Sequence, residues 1–416
     1  MQLTTILNRV EKHKSFVYGT ARWSANGVDI EVPVQPRQGN RPLCSVCRRP
    51  GPVYDHKQSE RRFQFVPLWN ITVWLVYRMR RVNCPTCGIK LERVPWSDGK
   101  SPLTKTYRWF LAHWARRLSW KETARIFRTS WQTVFRSVRY AVTWGIAHEE
   151  WSDIESIGID EIAWQKGHRY LTLVYQIDEG RKRLLFATKE RTKVALKSFF
   201  ELLGEQRVRS LKFVVSDMWQ PYLDVVAEQA GAAVHVLDRF HVMKKMNEAI
   251  DKVRREEVRR LQSDGYEPIL KHSRWCLLKR PENMTEKETV KLSELLQYNL
   301  KSLKARLQRE DFQRFWEYRS ASWAGRFLDE WCRRVMRSRL EPMKKVARSL
   351  RDHRDLLLNW FRAKGQISAG VVEGFNNKVK LTMRKAFGFR TYEAIQVALY
   401  HNLGKLPEPE HTHTFW

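Results

Sequence analysis

The chain has 416 residues, 43% of them hydrophobic and 12% aromatic, which predicts a globular protein with sizeable cores in roughly two to four domains. Lys and Arg number 76 against 45 Asp and Glu, a formal net charge of +31 spread along the whole chain, so we expect a nucleic acid as partner, with a ribosome-associated basic protein as the alternative. No apolar run approaches the roughly 18 residues of a membrane span, and no signal peptide is recognisable, which excludes a membrane protein and predicts a cytoplasmic one.

Two cysteine pairs predict a structural zinc site. Cys44 and Cys47 stand in CSVC, and Cys84 and Cys87 stand in CPTC. A CxxC turn directs two thiolates at one point, and two such turns supply the tetrahedral ligand set that Zn²⁺ prefers. His56 lies between the pairs but is not needed beside four thiolates. The alternating run ITVWLVYRMRRV predicts one strand that returns to the second pair.

Two capping boxes predict the starts of two consecutive helices. Ser119 with Glu122, and Thr129 with Gln132, both fit the spacing S/T-x-x-E/Q. The predicted helices run from Trp120 to Phe127, with Ala124 facing the partner helix, and onward from Trp131. A short helix, a tight turn and a longer helix are typical of a helix-turn-helix.

The second helix of such a unit enters the DNA major groove. We therefore expect Gln132, Thr133 and Arg136 to contact bases or phosphates. An ordinary helical hairpin with basic, solvated faces is the alternative that caps alone leave open.

Five β-rich runs follow residue 154, and three of them end on an aspartate. The runs are SIGIDEIAW, YLTLVYQID, RLLFATKE, LKFVVSD and AAVHVLDRF. Hairpin-length links join the first three runs, and a helical stretch joins the third to the fourth, which predicts a mixed sheet with helices on its faces. The first, fourth and fifth runs end on Asp160, Asp217 and Asp238. Such a sheet places ligands at the carboxyl ends of its strands.

Clustered carboxylates raise one another's pKa unless a cation neutralises them. Divalent cations such as Mg²⁺ take oxygen ligands, and a pair of them supports in-line phosphoryl displacement. The alternative is that one or more of these aspartates cap helices or pair with arginines.

The C-terminal half is predicted to be helical and to supply a third acid. Residues 368–370 are small and open a helix in which Glu373 stands early. Asn377, Lys380 and Arg384 follow at steps of four, three and four, so they share the helical face of Glu373. We interpret this face as one that binds metal and phosphate, while an exposed helix with charge pairs is the alternative.

The motifs GIDE, VVSDMWQPY, VLDRFHVMK and SAGVVEGFNNKVKLTMRKAFGFR together resemble those of the DDE-type transposases of bacterial insertion sequences. The resemblance is to the subgroup with an N-terminal four-cysteine zinc module and a helix-turn-helix. It covers nearly the whole chain, and it implies an α/β fold with an RNase H-like mixed sheet interrupted by an all-helical insertion. The implied catalytic and metal-binding acids are Asp160, Asp217 and Glu373, which would hold Mg²⁺ or Mn²⁺.

Glu161 and Asp238 compete with this assignment. Alternation places Ile157, Ile159 and Glu161 on one face of the first strand and Gly158 and Asp160 on the other, so only one of the two acids faces the site. The pattern does not say which, and the family motif selects Asp160. Asp238 is a fourth candidate.

The resemblance implies a transposase that binds the terminal inverted repeats of its element, cleaves at the element ends and joins the freed 3′-hydroxyls to target DNA. Its partner would be double-stranded DNA, and a homodimer is the smallest assembly that could treat two ends symmetrically. An RNase H-like nuclease or resolvase without strand transfer, and a DNA-binding regulator with an inert core, are the alternatives.

Five segments summarise the expected organisation, although residues 1–40 carry no pattern that predicts a structure. They are a region with the zinc module (1–95), the helix-turn-helix (96–150), the first part of the catalytic core (151–242), the helical insertion (243–364), and the last core helices with the tail (365–416).

Overall fold

The computed structural model describes residues 2–165, 167, 169–266, 269–363, 370–386 and 388–410. They group into two compact units. The first contains the chain up to Glu150 and again from Leu381 onward, and the second runs from Trp151 to Lys380. Among the described residues, no helix combines the length and apolar character needed to cross a bilayer.

The first unit begins with a helix and two sheets. These elements are α1 (Leu3–Val10), β1 (Phe16–Tyr18), β2 (Arg22–Trp23), β3 (Ile30–Pro36), β4 (Val53–His56), β5 (Arg61–Leu68), β6 (Ile71–Tyr77), β7 (Arg80–Cys84) and β8 (Gly88–Leu91). The larger sheet has the order β1-β3-β6-β5, with β2 paired to β3, and the smaller has the order β4-β7-β8. Residues 1–40, where the sequence analysis found no pattern, thus supply three strands of the larger sheet.

A single tryptophan occupies the centre of the larger sheet's core. Trp96 is fully buried, and the rings of Phe16, Phe63 and Tyr77 meet it edge-on at centroid distances of 4.9, 5.8 and 5.4 Å. The run predicted as one strand is two, because β6 ends at Tyr77 in the larger sheet and β7 begins at Arg80 in the smaller one.

Three helices complete this part of the first unit: α2 (Lys105–Arg117), α3 (Trp120–Ile126) and α4 (Trp131–Ala147). The capping box of Ser119 with Glu122 is confirmed. The second predicted box is wrong, because the side chain of Ser130, one residue after Thr129, accepts the hydrogen bond from the backbone N–H of Thr133. Ala124 is buried, as expected of the face that meets the partner helix.

The second unit is built on a five-stranded mixed sheet. Its strands are β9 (Ser156–Gln165), β10 (Arg169–Ile177), β11 (Lys182–Lys189), β12 (Phe213–Ser216) and β13 (Val234–Leu237), in the order β11-β10-β9-β12-β13. The first three strands are antiparallel, whereas β12 is parallel to β9 and to β13. This arrangement confirms the predicted mixed sheet.

The remaining elements of the described chain are helices. They are α5 (Lys193–Leu203), α6 (Glu205–Arg209), α7 (Gln220–Gln229), α8 (Arg239–Ser263), α9 (Arg274–Leu278), α10 (Glu286–Leu296), α11 (Lys301–Gln313), α12 (Ala321–Met336), α13 (Glu341–Asp352), α14 (Arg354–Ala363), α15 (Val371–Lys385) and α16 (Tyr392–Leu403), with short 3₁₀ helices at Pro281–Asn283 and Arg314–Glu317. Helices α8 to α14 share one hydrophobic core. The backbone carbonyl of His235 in β13 accepts a hydrogen bond of 2.8 Å from Asn359 in α14, which joins these helices to the edge of the sheet. Helix α16 packs on α4 within the first unit.

The five tryptophans of the helical region differ in burial, and Trp360 is half-buried against the helical core. Trp316 and Trp331 are buried in the helical core. Trp275 and Trp323 are exposed, and each ring lies under the guanidinium of a neighbouring arginine, at 5.1 and 4.8 Å from the ring centroid.

Candidate functional site

Three aspartates lie just beyond the paired residues of the parallel strands β9, β12 and β13. The last pair of the parallel β9–β12 ladder joins Gly158 to Val215, so Asp160 and Asp217 both lie two residues beyond it. The last pair of the β12–β13 ladder joins Ser216 to Leu237, so Asp217 and Asp238 each follow directly. The carboxyl ends of parallel strands therefore bring these carboxylates to a common edge.

Asp160 does not end its strand as predicted. Strand β9 continues to Gln165 because its antiparallel partner β10 is longer than its parallel partner β12, and Asp160 pairs in register with Leu173. Asp160 is 3% exposed, which is unusual for a carboxylate and requires partners.

Helix α15 lies against the face of β9 that carries Gly158 and Asp160. A Cβ atom at Gly158 would stand 2.5 Å from Cγ2 of Val372, so only glycine allows this approach. The side chain of Asn376 donates a hydrogen bond to Oδ2 of Asp160, and the Phe375 ring stacks on Tyr175 at 4.5 Å. These contacts hold the helix that carries Glu373 against the strand that carries Asp160.

His241 is the histidine that lies beside Asp160. Its Nε2 lies 3.6 Å from Oδ1 of Asp160. Burial lowers the pKa of His241, but the hydrogen bond and charge of Asp160, joined by the charges of Asp238 and Asp217, outweigh burial and raise this pKa above its ordinary value. The neighbouring carboxylates thus favour the protonated form of the imidazole.

Asp217 is held by two groups immediately around it. Its Oδ1 accepts a hydrogen bond of 3.0 Å from the backbone N–H of Trp219, and its Oδ2 lies 3.1 Å from Nη2 of Arg191. The same guanidinium contacts the carboxylate of Glu161 through Nε. Burial, then the charge of Asp217, raises the pKa of Glu161 to about 7. Arg191 therefore links Asp217 to Glu161, the residue that follows Asp160 in β9.

Asp238 has a structural role as the cap of a helix. It is the N-cap of α8, where its side chain accepts a hydrogen bond of 2.8 Å from the backbone N–H of Phe240. Burial is the main cause that raises the pKa of Asp238 to about 6; the charges of Asp160 and Glu373 act in the same direction, against His241 and the hydrogen bond from Phe240. The helix cap that the sequence analysis weighed as an alternative is thus realised at this residue.

Glu373 stands in the first turn of α15 and is exposed. Asn377, Lys380 and Arg384 are also exposed, in agreement with the shared face that their spacing predicts. Residues 368 and 369, which the sequence analysis placed at the start of this helix, lie outside the described residues.

The acids have the chemistry that magnesium requires, since carboxylate oxygens are its preferred protein ligands. In the described part of the chain, however, only the cysteines bring three or more potential ligand atoms within 4.8 Å of one another. Asp217 is paired with Arg191, and Asp160 lies beside His241. The carboxylate oxygens suit a divalent ion, and Arg191 supplies a counter-charge to Asp217.

The four predicted zinc ligands converge. The sulfur atoms of Cys44, Cys47, Cys84 and Cys87 all lie within 4.8 Å of one another, and none of these cysteines is in a disulfide. Backbone N–H groups of Cys87 and of Thr86 lower the pKa of Cys84 to about 7, which favours the thiolate that binds metal. His56 is exposed and is not part of the cluster.

The predicted DNA-reading residues lie on the first turns of α4. Gln132 and Arg136 are exposed, and Thr133 is half-buried, with its hydroxyl 2.9 Å from that of Ser130.

Sequence reasoning missed Asn376, His241 and Arg191. A signal for Asn376 was present, because Val372, Phe375 and Val379 form the buried stripe of α15 and Asn376 is the polar residue beside it. The contacts of His241 and Arg191 join residues far apart in the chain, so spacing alone gave no signal for them.

Comparison with known proteins gives consistent matches. Residues 157–399 match the ISL3-type DDE family model described as "Transposase", and residues 40–87 match a model described as "zinc-finger of transposase IS204/IS1001/IS1096/IS1165". The chain is 30% identical over 342 residues to "Transposase for insertion sequence element IS1001" from Bordetella parapertussis, covering 81% of this chain and 83% of the relative. It is 28% identical over 400 residues to "Transposase for insertion sequence element IS1557" from Mycobacterium tuberculosis, covering 89% and 88%.

Proposed function

Since this chain belongs to the ISL3 family of DDE transposases, we propose that it binds the terminal inverted repeats of its own mobile element, cleaves DNA at the element ends and transfers the freed 3′-hydroxyls to target DNA. The catalytic domain would be an RNase H-like core. The order of the mixed sheet supports this, with three antiparallel strands followed by two strands parallel to the first.

One observation carries the proposal: the hydrogen bond between Asn376 and Asp160. It fastens the strand that carries the first acid to the helix that carries Glu373, although the two are far apart in the chain. Asp217 lies at the same level of the sheet as Asp160. These two observations support a catalytic set drawn from β9, the end of β12 and α15.

Asp160, Asp217 and Glu373 would hold Mg²⁺ or Mn²⁺, which would supply activation of the attacking oxygen and stabilisation of the leaving oxygen in phosphoryl transfer. The protein's own part is to hold the carboxylates. Asn376 orients Asp160, and the backbone N–H of Trp219 orients Asp217.

DNA contacts would come from several surfaces of a strongly basic chain. A zinc ion on the four cysteines would stabilise the N-terminal module, and Gln132, Thr133 and Arg136 of α4 would read the terminal repeat. Asn377, Lys380 and Arg384 on α15 would contact phosphates near the acids. A homodimer would pair the two element ends.

Substitutions that remove charge but keep shape test this function. Asp160→Asn, Asp217→Asn and Glu373→Gln should each abolish metal-dependent cleavage of DNA that carries the terminal repeat, while binding of that DNA in a gel-shift assay stays nearly unchanged. Because the acids act as one unit, the triple variant should be little worse than any single one. Asp238→Asn is the matched control and should cost less, since this side chain caps α8.

The products distinguish the competing functions. Cleaved but unjoined DNA would indicate a nuclease, and repeat binding without any nicking would indicate a regulator. Full cleavage by Glu373→Gln, with loss in Asp238→Asn instead, would move the third acid to β13 and overturn the assignment on α15.

A further inference from the structure

Arg191 occupies a position between two carboxylates at the candidate site. It follows β11, its side chain is 29% exposed, and its Nη2 lies 3.1 Å from Oδ2 of Asp217, while its Nε contacts Glu161. The guanidinium lies over the ring of Trp219, 4.1 Å from the ring centroid.

Trp219 fixes both members of the Arg191–Asp217 pair. Its backbone N–H donates to Oδ1 of Asp217, and its ring carries the guanidinium that reaches Oδ2. A stacked, planar cation of this kind loses less conformational freedom on pairing than a flexible lysine. Trp219 therefore holds the Arg191–Asp217 pair in place, and the pair is not a chance contact of two surface side chains.

Two buried acids at one sheet edge need counter-charges in the absence of metal. Asp160 is 3% exposed and lies beside His241, and Asp217 is 9% exposed and forms an ion pair with Arg191. An arginine does not lose its proton in a protein, so Arg191 can give up Asp217 only by moving away from it.

We propose that Arg191 is a positioning residue that holds Asp217 and Glu161 in the metal-free protein and competes with the divalent cation for Asp217. This inference rests on the proposed function, since it takes Asp217 as a metal ligand. Loading of the ion then requires the guanidinium to leave, and Glu161 becomes a second carboxylate released beside the ion.

Binding of Mn²⁺ to the full-length, zinc-loaded protein tests the proposal without any DNA. Free Mn²⁺ is measured by its electron paramagnetic resonance signal during titration. Arg191→Gln should bind Mn²⁺ about tenfold more tightly than the unmodified protein, because no internal cation has to be displaced. Lys193→Gln is the matched control: it also removes one positive charge, but Lys193 pairs with Asp224, and its Mn²⁺ affinity should stay unchanged.

Thermal unfolding gives a second readout. Without metal, Arg191→Gln should melt several degrees below the unmodified protein, because two carboxylates lose their counter-ion. Saturating Mn²⁺ should raise the melting temperature of this variant more than that of the unmodified protein. Arg191→Lys keeps the charge but loses the double contact and the stacking, so its melting temperature should lie between those of Arg191→Gln and the unmodified protein. This variant carries the test if Arg191→Gln does not fold.

The proposal would be overturned if both Arg191 variants bound Mn²⁺ no more tightly than the unmodified protein. Asp217→Asn separates this failure from failure of the proposed function. If Asp217→Asn loses Mn²⁺ binding while the Arg191 variants match the unmodified protein, only the competition is wrong. If Asp217→Asn binds Mn²⁺ normally, Asp217 is not a metal ligand, and the catalytic assignment fails with the competition.

Discussion

Replacing Gly158 with alanine should push helix α15 away from the sheet. Gly158 lies in β9 on the face that α15 covers, two residues before Asp160. An added Cβ would stand 2.5 Å from Cγ2 of Val372 and 3.3 Å from Cγ2 of Ile177. Contacts below 3.0 Å are not tolerated, so one of the two elements must shift.

The loss of stability in Gly158→Ala depends on how far Val372 can move. It is buried, and as a β-branched residue in a helix it has essentially one side-chain rotamer, so relief requires the helix itself to retreat by up to about 1 Å. Overpacking of this kind costs typically about 1–3 kcal/mol. We expect the free energy of unfolding to fall by about 2 kcal/mol, which is near the middle of that range.

A double-mutant cycle isolates this contact. Val372→Ala alone removes two buried methyl groups and should cost about 2 kcal/mol. In the double variant the alanine at 158 fills the space that the valine leaves, so the combined cost should fall short of the sum by at least about 1 kcal/mol. Urea unfolding followed by tryptophan fluorescence, with unchanged slope, measures the three differences.

Cleavage gives the functional side of the same experiment. The retreat displaces Glu373 and Asn376 from Asp160, and a misplacement of about 1 Å can cost about 100-fold in rate. Gly158→Ala should therefore lose most of its cleavage activity, and Val372→Ala should restore a substantial part of it in the double variant. Wild-type stability of Gly158→Ala, or simple additivity in the cycle, would refute the close approach of α15 to β9.

Three further predictions concern the parts that are proposed to bind nucleic acid. Metal analysis should return about one zinc per chain, and Cys84→Ser should lose both the zinc and repeat binding, because metal binding supplies folding free energy to such a module; a zinc-free protein with normal repeat binding would contradict this. Affinity for DNA of any sequence should fall steeply with salt, and Arg136→Ala should reduce preference for the terminal repeat more than it reduces this general affinity; equal losses would reassign Arg136 to the phosphate backbone. Trp275→Ala and Trp323→Ala should weaken binding of single-stranded DNA by about 1–3 kcal/mol for each ring that stacks on a base, and unchanged binding in both would remove that role.

The strands of the mixed sheet could be predicted because their signals are local. Alternating or continuous apolar runs separated by hairpin-length links define β9 to β11, and one helical stretch separates them from β12. The larger sheet of the first unit escaped prediction because its pairing is not local. Strand β3 pairs in parallel with β6, across the intervening Cys44 and Cys47 and the strands β4 and β5, and β2 has only two residues.

Local ambiguity explains the wrong helix cap. Thr129 and Ser130 are adjacent residues with hydroxyl groups, and both fit an N-cap preference. In the structure the backbone N–H of Thr129 bonds to the carbonyl of Ala124, so Thr129 still belongs to the end of α3. Ser130 is the first residue free to cap α4. Such one-residue shifts are the normal error of boundaries read from sequence.

The choice between Asp160 and Glu161 shows what tertiary structure adds to a motif. Alternation established that the two acids point to opposite faces of β9, and the structure gives each face its own neighbours: Asn376 and His241 at Asp160, and Arg191 at Glu161. The bond from Asn376 brings the helix of Glu373 to Asp160, which favours Asp160 as the acid that shares a metal with Glu373. Arg191, in contrast, joins Glu161 to Asp217. Glu161 is therefore linked to Asp217 by the guanidinium of Arg191, and Mn²⁺ binding to Glu161→Gln decides whether Glu161 takes part in metal binding or only holds Arg191.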